Sequence, residues 1–353
     1  MKTASGAFYV EIAPGVMVLD RSLPLTLSRA DAVLFDVDGV LVEVSDSFRQ
    51  VISLTVQFYF NRILDIPGRE LLISAEETGH FKLAGRFNND WELAKGAVAH
   101  GLLKLLSADG ASPASTEKLR RIPPLVGDFA AEVKKRGGGL EEALRLVREK
   151  LPESSRGEFE SRYKPELIKK IFMEHYAGER LCRPMYGFDP EYYTGPGLVE
   201  KEHDILHLSL IRKLAESGIS FGILSGRIPE EADYLFRKSG LEKFLKPEFV
   251  ITDDGTLPGK PDPAGLELLA GRMGFRAGIY VGDVPDDWTT VKNYRLQNPG
   301  GPPVACCMVQ TGSTSTELMS GFYDESEVDY LAADVNYLLT AMAQGRQTHK
   351  KRT

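Results

Sequence analysis

The stretch Val33 to Val42, VLFDVDGVLV, decides the fold of this chain. An apolar run leads into two carboxylates, Asp36 and Asp38, and Gly39 and a second apolar run follow them. Residues two apart on a strand point to the same side, so both carboxylates would sit together at the strand's end, where the glycine lets the chain turn sharply. Such a pair is typical of a nucleophile and a proton-transfer partner held around a cation. A buried strand that ends in an Asx turn would have the same sequence pattern. Motifs elsewhere in the chain are therefore needed to distinguish a catalytic pair from such a turn.

The composition is that of an ordinary globular protein. At 353 residues the chain is long enough for about two domains, and 42% hydrophobic with 26% charged residues is a usual balance. The net charge of −7 gives no general reason to expect nucleic acid or an anionic membrane as partner. No apolar run reaches the roughly 20 residues needed to span a bilayer, and the N-terminus lacks the apolar core of a signal peptide.

The cysteines indicate a reducing compartment. Cys182, Cys306 and Cys307 make an odd number without metal-ligand spacing, and the adjacent pair falls in an apolar run typical of buried, inert thiols. We therefore expect a cytoplasmic protein. The basic cluster His349–Arg352 belongs to a tail, 346–353, that we expect to be flexible.

The pattern of the chain changes after the first strand, which is predicted over Ala32–Val42. Before it, residues 1–30 form a lead-in with a predicted hairpin. From 45 to 197 apolar residues recur at helical spacing, which predicts an all-helical domain inserted after that strand. Its last part, Tyr186–Gly197, is aromatic and glycine-rich and suits a hinge. The predicted hairpin strands are Phe8–Ile12 and Val16–Leu19, and the predicted helices with clear bounds are Phe48–Leu64, Leu140–Leu151 and Pro165–Tyr176.

After the insertion, strand and helix patterns alternate as a parallel α/β sheet requires. Ligands of such sheets bind beyond the carboxyl ends of the strands, which is where the polar motifs fall. Strands are predicted at Ile219–Leu224, Phe249–Thr252, Gly278–Val281 and Val304–Val309, and helices at Asp204–Ser217, Pro229–Ser239, Pro263–Met273, Asp286–Arg295 and Tyr330–Met342.

Four motifs occur in a fixed order: DVDGV at the first strand, LSGR with Ser225 at the second, GKPDP with Lys260 before a helix, and VGDVPDD with Asp283 and Asp287. Singly, Ser225 could belong to an N-cap turn and Lys260 could be a solvated lysine. Together the motifs resemble the haloacid dehalogenase superfamily of phosphotransferases. The helical insertion resembles an enlarged form of the cap that subfamily I carries. The resemblance implies a Rossmann-like parallel-sheet core, 31–44 with 198–345, and a helical cap, 45–197.

The chemistry expected of these motifs is phosphoryl transfer. Phosphate monoester hydrolysis needs accelerations up to about 10^21, supplied mostly by positioning and charge neutralisation. Asp36 would attack phosphorus and form an aspartyl-phosphate, while Asp38 would protonate the leaving oxygen and then activate water. The Ser225 hydroxyl and the Gly226 amide would hydrogen-bond the phosphate oxygens. Lys260 would supply positive charge beside Asp36 and the phosphoryl oxygens, and Arg227 would bind the substrate.

A hard cation is needed because several carboxylates and a phosphate would otherwise repel one another, and Mg²⁺ prefers oxygen ligands. Asp36 and Asp283 would bind it through carboxylates. The resemblance implies that Asp38 adds its backbone carbonyl. Asp287 would bind directly or through water, and Asp286 is the alternative because the spacing does not choose between them.

Asp38 also narrows the activity. The dehalogenases of the superfamily lack a carboxylate at this place and its ATP-driven pumps carry threonine, so a phosphatase or a phosphomutase remains. A non-catalytic module that binds a phosphometabolite is the alternative from another class. The expected partner is a small phosphorylated metabolite, and the sequence leaves a homo-oligomer open.

The segment His80–Lys95 of the insertion, HFKLAGRFNNDWELAK, offers substrate contacts through Lys82, Arg86 and Asn89. The run from Asn88 to Asp90 would equally cap a helix that starts near Trp91. FNNDW resembles a segment of uncharacterised subfamily I phosphatases, which names no substrate. Two residues near the hinge, Arg183 and Tyr186, are further candidates for substrate contact.

Overall fold

The chain folds into two compact units. The computed structural model describes residues 9–19, 27, 29–44, 46–87, 89–107, 115–311 and 328–350, without the side chains of 347–350. One unit, here called the core unit, is Met1–Glu43 with His203–Thr353, and the other, the helical unit, is Val44–Glu202. The chain thus enters the helical unit shortly after the DVDGV motif and returns to the core unit at His203.

The core unit is built on an eight-stranded sheet in the order β1-β2-β10-β9-β8-β3-β6-β7. The strands from β10 to β7 are parallel, whereas β2 pairs antiparallel with both β1 and β10. β4 and β5 form a separate antiparallel ribbon. The bounds are β1 Tyr9–Ala13, β2 Val16–Leu19, β3 Ala32–Phe35, β4 Val42–Glu43, β5 His203–Asp204, β6 Ser220–Leu224, β7 Val250–Ile251, β8 Gly278–Gly282, β9 Val304–Val309 and β10 Tyr330–Ala332.

The first strand is shorter than the sequence predicted. β3 ends at Phe35, because the chain turns at Gly39, which has φ 74° and donates its N–H to the Val42 carbonyl at 2.8 Å. A left-handed φ is open to glycine at little cost. Asp36 and Asp38 therefore lie in the loop after the strand, and the argument that placed them on one face of a strand was wrong.

The N-terminal hairpin belongs to the core sheet, since β2 pairs with β10. Residues Tyr330–Ala332, predicted as the start of the closing helix, form β10. They are buried between β9 and β2, and so short an apolar run carries no periodicity that distinguishes a strand from a helix. The helix begins instead at Val335, where Asp334 Oδ1 accepts the N–H groups of Asn336 and Tyr337 at 2.7 and 3.2 Å.

The helical unit contains no strand among its described residues. Its first helix continues into a π-helical turn, Tyr59–Ile63, and its last runs to Tyr186 through a kink at Gly178, past the predicted end at Tyr176. The helices are α1 Phe48–Phe58, α2 Thr78–Ala84, α3 Asp90–Ser107, α4 Thr116–Arg121, α5 Val126–Lys135, α6 Gly139–Lys150, α7 Glu153–Arg162 and α8 Pro165–Tyr186.

The core helices follow the predicted alternation. α9 starts later than predicted because His203–Asp204 pairs with β4. In the predicted tail, the last helix extends to Lys350 and residues 351–353 lie outside the described chain. Across the described segments, no helix combines the length and apolarity required for a membrane span. The helices are α9 Leu208–Glu216, α10 Pro229–Ser239, α11 Ala264–Met273, α12 Pro285–Gln297 and α13 Val335–Lys350.

Candidate active site

Three adjacent strands of the core sheet bring the polar motifs together. β3 lies between β8 and β6, and Phe35 at its end pairs with Val281 on one side and Ile223 on the other. The residues that directly follow these strands are Asp36 after β3, Ser225 after β6 and Asp283 after β8. Because the carboxyl ends of parallel strands meet at one edge, motifs far apart in sequence meet there.

A cluster of carboxylates lies at this edge. Oxygen atoms of Asp36, Asp283 and Asp287 are all within 4.8 Å of one another, and the three residues are buried. Buried like charges at this distance repel strongly unless a cation or a proton neutralises them. Oxygen donors are the ligands that Mg²⁺ prefers, so the donor set fits the predicted ion.

Asp287 is held by four donors of its own chain. Its Oδ1 accepts from Lys260 Nζ at 2.6 Å and from the Tyr280 hydroxyl at 2.9 Å, and its Oδ2 accepts the N–H groups of Asp283 and Val284 at 3.0 and 3.1 Å. A carboxylate oxygen has about two lone-pair sites. Direct binding of an ion by Asp287 would therefore require it to give up one of these hydrogen bonds.

The alternative ligand Asp286 is not in the cluster. Within the chain segments that the structure describes, the carboxylates close enough to share an ion include Asp287 and not Asp286. Close packing places Asp287 here, since a Cβ on Gly282 would lie 2.3 Å from the Asp287 Cβ. Glycine at position 282 is thus what lets the first turn of α12 approach the end of β8.

Lys260 is a buried partner of two carboxylates rather than a solvated lysine. Its Nζ lies 2.9 Å from Asp36 Oδ1 and 2.6 Å from Asp287 Oδ1, and its side chain is 13% exposed. Burial lowers the pKa of Lys260, but Asp287 and Asp36 outweigh this effect and hold that pKa well above its ordinary value. Lys260 therefore stays positively charged beside the predicted nucleophile.

Burial raises the pKa of Asp36 to about 7, and the Lys260 ammonium opposes that rise. A buried carboxyl group favours its neutral form because an ion loses its hydration there. A cation bound to the same cluster would favour the ionised form, which is the form a nucleophile needs.

Tyr280 is a site residue that the sequence interpretation missed. Its hydroxyl contacts both Asp287 and Lys260, the latter at 3.4 Å, and burial followed by the Asp287 charge raises its pKa well above the ordinary value. The hydroxyl therefore stays protonated and donates a hydrogen bond to Asp287. The available signal was a tyrosine inside the apolar strand GIYVG, because a buried tyrosine hydroxyl usually needs a partner.

Ser225 and Arg227 form a tight turn after β6. The Ser225 N–H donates to the Ile251 carbonyl at 3.0 Å, and Ser225 Oγ accepts the Arg227 N–H at 3.2 Å. Gly226 between them is half-buried. The Arg227 side chain, whose predicted role in substrate binding stays a prediction, contacts Asp38: its Nε and Nη2 lie 2.7 and 2.5 Å from Asp38 Oδ1.

The end of β9 also reaches the DVDGV loop. Thr311 Oγ1 donates to the Gly39 carbonyl at 2.5 Å. The sequence interpretation did not include Thr311, because nothing in its local pattern distinguishes it from any other residue after a strand.

The residues predicted to contact substrate in the helical unit make contacts within that unit. Lys82 Nζ lies 2.7 Å from Asp90 Oδ1. Asn89 Oδ1 accepts the Glu92 N–H at 3.3 Å, as expected of a residue that caps α3, and Asn88 lies outside the described residues. Their roles toward a substrate stay predictions.

Arg86 is exposed and has φ 58°, a conformation uncommon for residues other than glycine. Nearer the predicted hinge, Arg183 pairs with Asp189 at the surface, and Tyr186 stacks on Phe188 with the ring centroids 6.1 Å apart. These positions also remain candidates without a tested role.

The core unit is similar in sequence to known proteins. Residues 203–293 match the family model described as haloacid dehalogenase-like hydrolase. An 89-residue segment, 25% of the chain, is 38% identical to imidazoleglycerol-phosphate dehydratase of Phytophthora nicotianae. The match spans 16% of the length of that curated relative.

Solved structures resemble the fold over most of its length. Phosphatase Tt82 from Thermococcus thioreducens has a TM-score of 0.54 and 24% identity, over 89% of this chain and 99% of that one. A target of the Northeast Structural Genomics Consortium has a TM-score of 0.58 and 17% identity, over 90% of this chain and 100% of that one. At these identities the likeness concerns the fold, an α/β parallel-sheet core with a helical insertion.

Proposed function

We propose that the protein is a Mg²⁺-dependent phosphatase of a small phosphorylated metabolite, because residues 203–293 match the model of the haloacid dehalogenase-like hydrolases. The observation that carries the proposal is the meeting of Asp36, Asp283 and Lys260 at one edge of the sheet, with Asp38 beside them in the same loop. Carboxylates and a buried lysine in this arrangement suit the transfer of a phosphoryl group.

In the first step the Asp36 carboxylate attacks phosphorus. The bond between an Asp36 oxygen and phosphorus forms, the bond between phosphorus and the leaving oxygen breaks, and the carboxyl proton of Asp38 passes to the leaving oxygen. The products of this step are an aspartyl-phosphate and the free alcohol.

In the second step a water oxygen attacks the phosphorus of the aspartyl-phosphate. The bond between Asp36 and phosphorus breaks, which restores the Asp36 carboxylate, and the water proton passes to Asp38. Inorganic phosphate leaves, and Asp38 carries the proton required for the next turnover.

Positive charge and hydrogen-bond donors surround the transferring group. Lys260 lies against Asp36, and the Ser225 hydroxyl and the Gly226 amide are the proposed donors to the phosphoryl oxygens. Asp36 and Asp283, with the Asp38 carbonyl, would hold a magnesium ion, which when bound supplies positive charge against the phosphate and the carboxylates.

The proposal names the substrate only as a small phosphorylated metabolite, and it places the protein in the cytoplasm. One curated relative bears the name imidazoleglycerol-phosphate dehydratase, which adds an imidazole-bearing phosphate ester to the compounds worth testing. The panel would contain phosphorylated sugars, phosphoglycolate, nucleotides, amino-alcohol phosphates and that ester.

The test is release of inorganic phosphate from this panel with Mg²⁺ or with a chelator. We expect release that depends on Mg²⁺ and that Asp36→Asn abolishes, while the variant keeps its fold by circular dichroism. An isomerised product without phosphate release would identify a phosphomutase instead. Ligand binding without any turnover would identify a non-catalytic module. Unchanged turnover in Asp36→Asn would exclude Asp36 as nucleophile.

A further inference from the structure

Arg227 and Asp38 form an ion pair that the two-step mechanism above does not use. Both Nε and Nη2 of Arg227 reach Asp38 Oδ1, at 2.7 and 2.5 Å. The Arg227 side chain is 1% exposed, whereas the Asp38 side chain is 30% exposed. The pair thus consists of a buried cation and a carboxylate that is still partly exposed.

The backbone of Arg227 is fixed on both sides. Its N–H donates to Ser225 Oγ, and its carbonyl accepts the Asp253 N–H at 2.8 Å. Asp38, in contrast, lies in the loop after β3, where a side chain has more freedom than on a strand. Two donors on Oδ1 fix the direction of the carboxylate and leave its second oxygen outside this contact.

We propose that Arg227 is a positioning residue that holds the Asp38 carboxyl group in the orientation required for proton transfer to the leaving oxygen. The proposal rests on the proposed function, because it takes Asp38 as the acid and base. Proton transfer requires hydrogen-bond reach, and a displacement of about 1 Å can cost about 10²-fold in rate. Direct binding of the substrate phosphate by Arg227 is the competing role, and it would require a guanidinium with 1% exposure to reach the substrate.

The two roles differ in their dependence on the leaving group. An alkyl phosphate ester must release an alkoxide, which is a poor leaving group unless its oxygen is protonated. By contrast, 2,4-dinitrophenyl phosphate releases a stable anion without a proton. The value of kcat/KM reports events up to phosphoryl transfer to Asp36. The ratio of kcat/KM for the best alkyl ester of the panel to that for 2,4-dinitrophenyl phosphate therefore isolates the effect of the proton donor.

We expect Arg227→Met to lower this ratio by about 10²-fold and Arg227→Lys to lower it less, because lysine keeps the charge but loses the planar pair of donors. The matched control is Arg295→Met, which removes another partly buried arginine–aspartate pair of the core unit, with Asp329, and should leave the ratio unchanged. Thermal unfolding of each variant verifies folding, and Arg227→Lys supplies the ratio if Arg227→Met does not fold.

A double-mutant cycle with Asp38→Asn completes the test. If Arg227 acts through Asp38, Arg227→Met has no further effect on the ratio in the Asp38→Asn background. Equal losses on both substrates would assign Arg227 to phosphate binding and overturn the inference while the phosphatase proposal stands. An Asp38→Asn variant with an unchanged ratio would overturn the inference together with the acid–base role of Asp38.

Discussion

At the scale of single residues, Lys260 contacts both the predicted nucleophile Asp36 and Asp287, the carboxylate that accepts four hydrogen bonds. The Tyr280 hydroxyl, on β8, contacts Lys260 and Asp287. A buried charge remains stable only when its hydrogen-bonding partners are present. The position of Lys260 therefore depends on the hydrogen bonds of Asp287 as well as on its own contact with Asp36.

Replacement of Tyr280 by phenylalanine tests this dependence. The change removes one donor to Asp287 Oδ1, so we expect a loss of about 1 kcal/mol in the free energy of unfolding and a reduced kcat. Denaturant unfolding and phosphate release would measure the two effects. The control is Tyr294→Phe, which removes a hydroxyl that donates to the Pro302 carbonyl at 3.0 Å and should lower stability without lowering kcat. Wild-type kcat in Tyr280→Phe would contradict the expectation.

His100 gives a prediction for the pH dependence of stability. Burial and the nearby Lys104 lower the pKa of His100 to about 3 from its ordinary 6.5, while its ring contacts the Pro124 carbonyl through Nε2 at 2.8 Å. The unfolded chain therefore binds the proton first as the pH falls. This contribution to stability is complete above pH 6.5 and is lost between about pH 6.5 and 3, by up to about 1.4 kcal/mol per pH unit.

Chemical denaturation at several pH values would measure this slope. His100→Gln should reduce it, because glutamine does not titrate and retains an N–H donor. His80→Gln, at an exposed histidine of the same unit, should leave the slope as in the wild type. An unchanged slope in His100→Gln would show that other groups cause the acid sensitivity.

At the scale of elements, the end of β8 and the first turn of α12 pack so closely that position 282 has no room for a side chain. Asp287, in that first turn, accepts the N–H groups of Asp283 and Val284 and so closes the loop between the two elements. The strand–helix junction thus sets where the Asp283 carboxylate lies relative to Asp36.

Gly282→Ala should disturb this junction. The new Cβ would stand 2.3 Å from the Asp287 Cβ, so we expect lower stability, by about 1–3 kcal/mol, and strongly reduced phosphate release. Gly271→Ala is the matched control, since a Cβ in that part of α11 meets nothing within 4 Å and should stabilise the helix by about 0.5–1 kcal/mol. Thermal unfolding of both variants beside the wild type decides the comparison, and a fully active Gly282→Ala protein would contradict it.

Sequence patterns predicted these elements best where the chain marks their ends. α10 was predicted with its observed bounds because Pro229 opens it and Gly240 closes it. Residues Tyr330–Ala332 were assigned wrongly because a strand this short has no measurable period. The motifs after β3, β6 and β8 were predictable because parallel strands align their ends. The contact between Arg227 and Asp38 was not predictable, because it joins residues 189 apart in sequence through side-chain packing alone.

At the scale of the whole molecule, three buried carboxylates lie within 4.8 Å of one another in the core unit, and the Lys260 ammonium contacts two of them. A ligand that binds only the folded state stabilises it by mass action. The stability of the protein should therefore respond to the divalent cation in solution.

We expect Mg²⁺ to raise the free energy of unfolding, by about 2.7 kcal/mol when its concentration is 100 times its Kd. Asp283→Asn should abolish this increase because it removes a proposed ligand, whereas Asp233→Asn, at an exposed residue of α10, should retain it. Thermal unfolding across a Mg²⁺ titration measures the effect. An equal increase in Asp283→Asn would place the ion elsewhere.

The antiparallel ribbon of β4 and β5 determines how the helical unit is attached to the core unit in the chain. Val42 pairs with Asp204 and Glu43 with His203, so the chain leaves and re-enters the core unit at neighbouring points. Antiparallel neighbours of this kind need only a tight turn of about two residues to connect them. Both ends of the 44–202 module are therefore fixed at one point of the core unit, and a change in the length of that module leaves the register of the core sheet untouched.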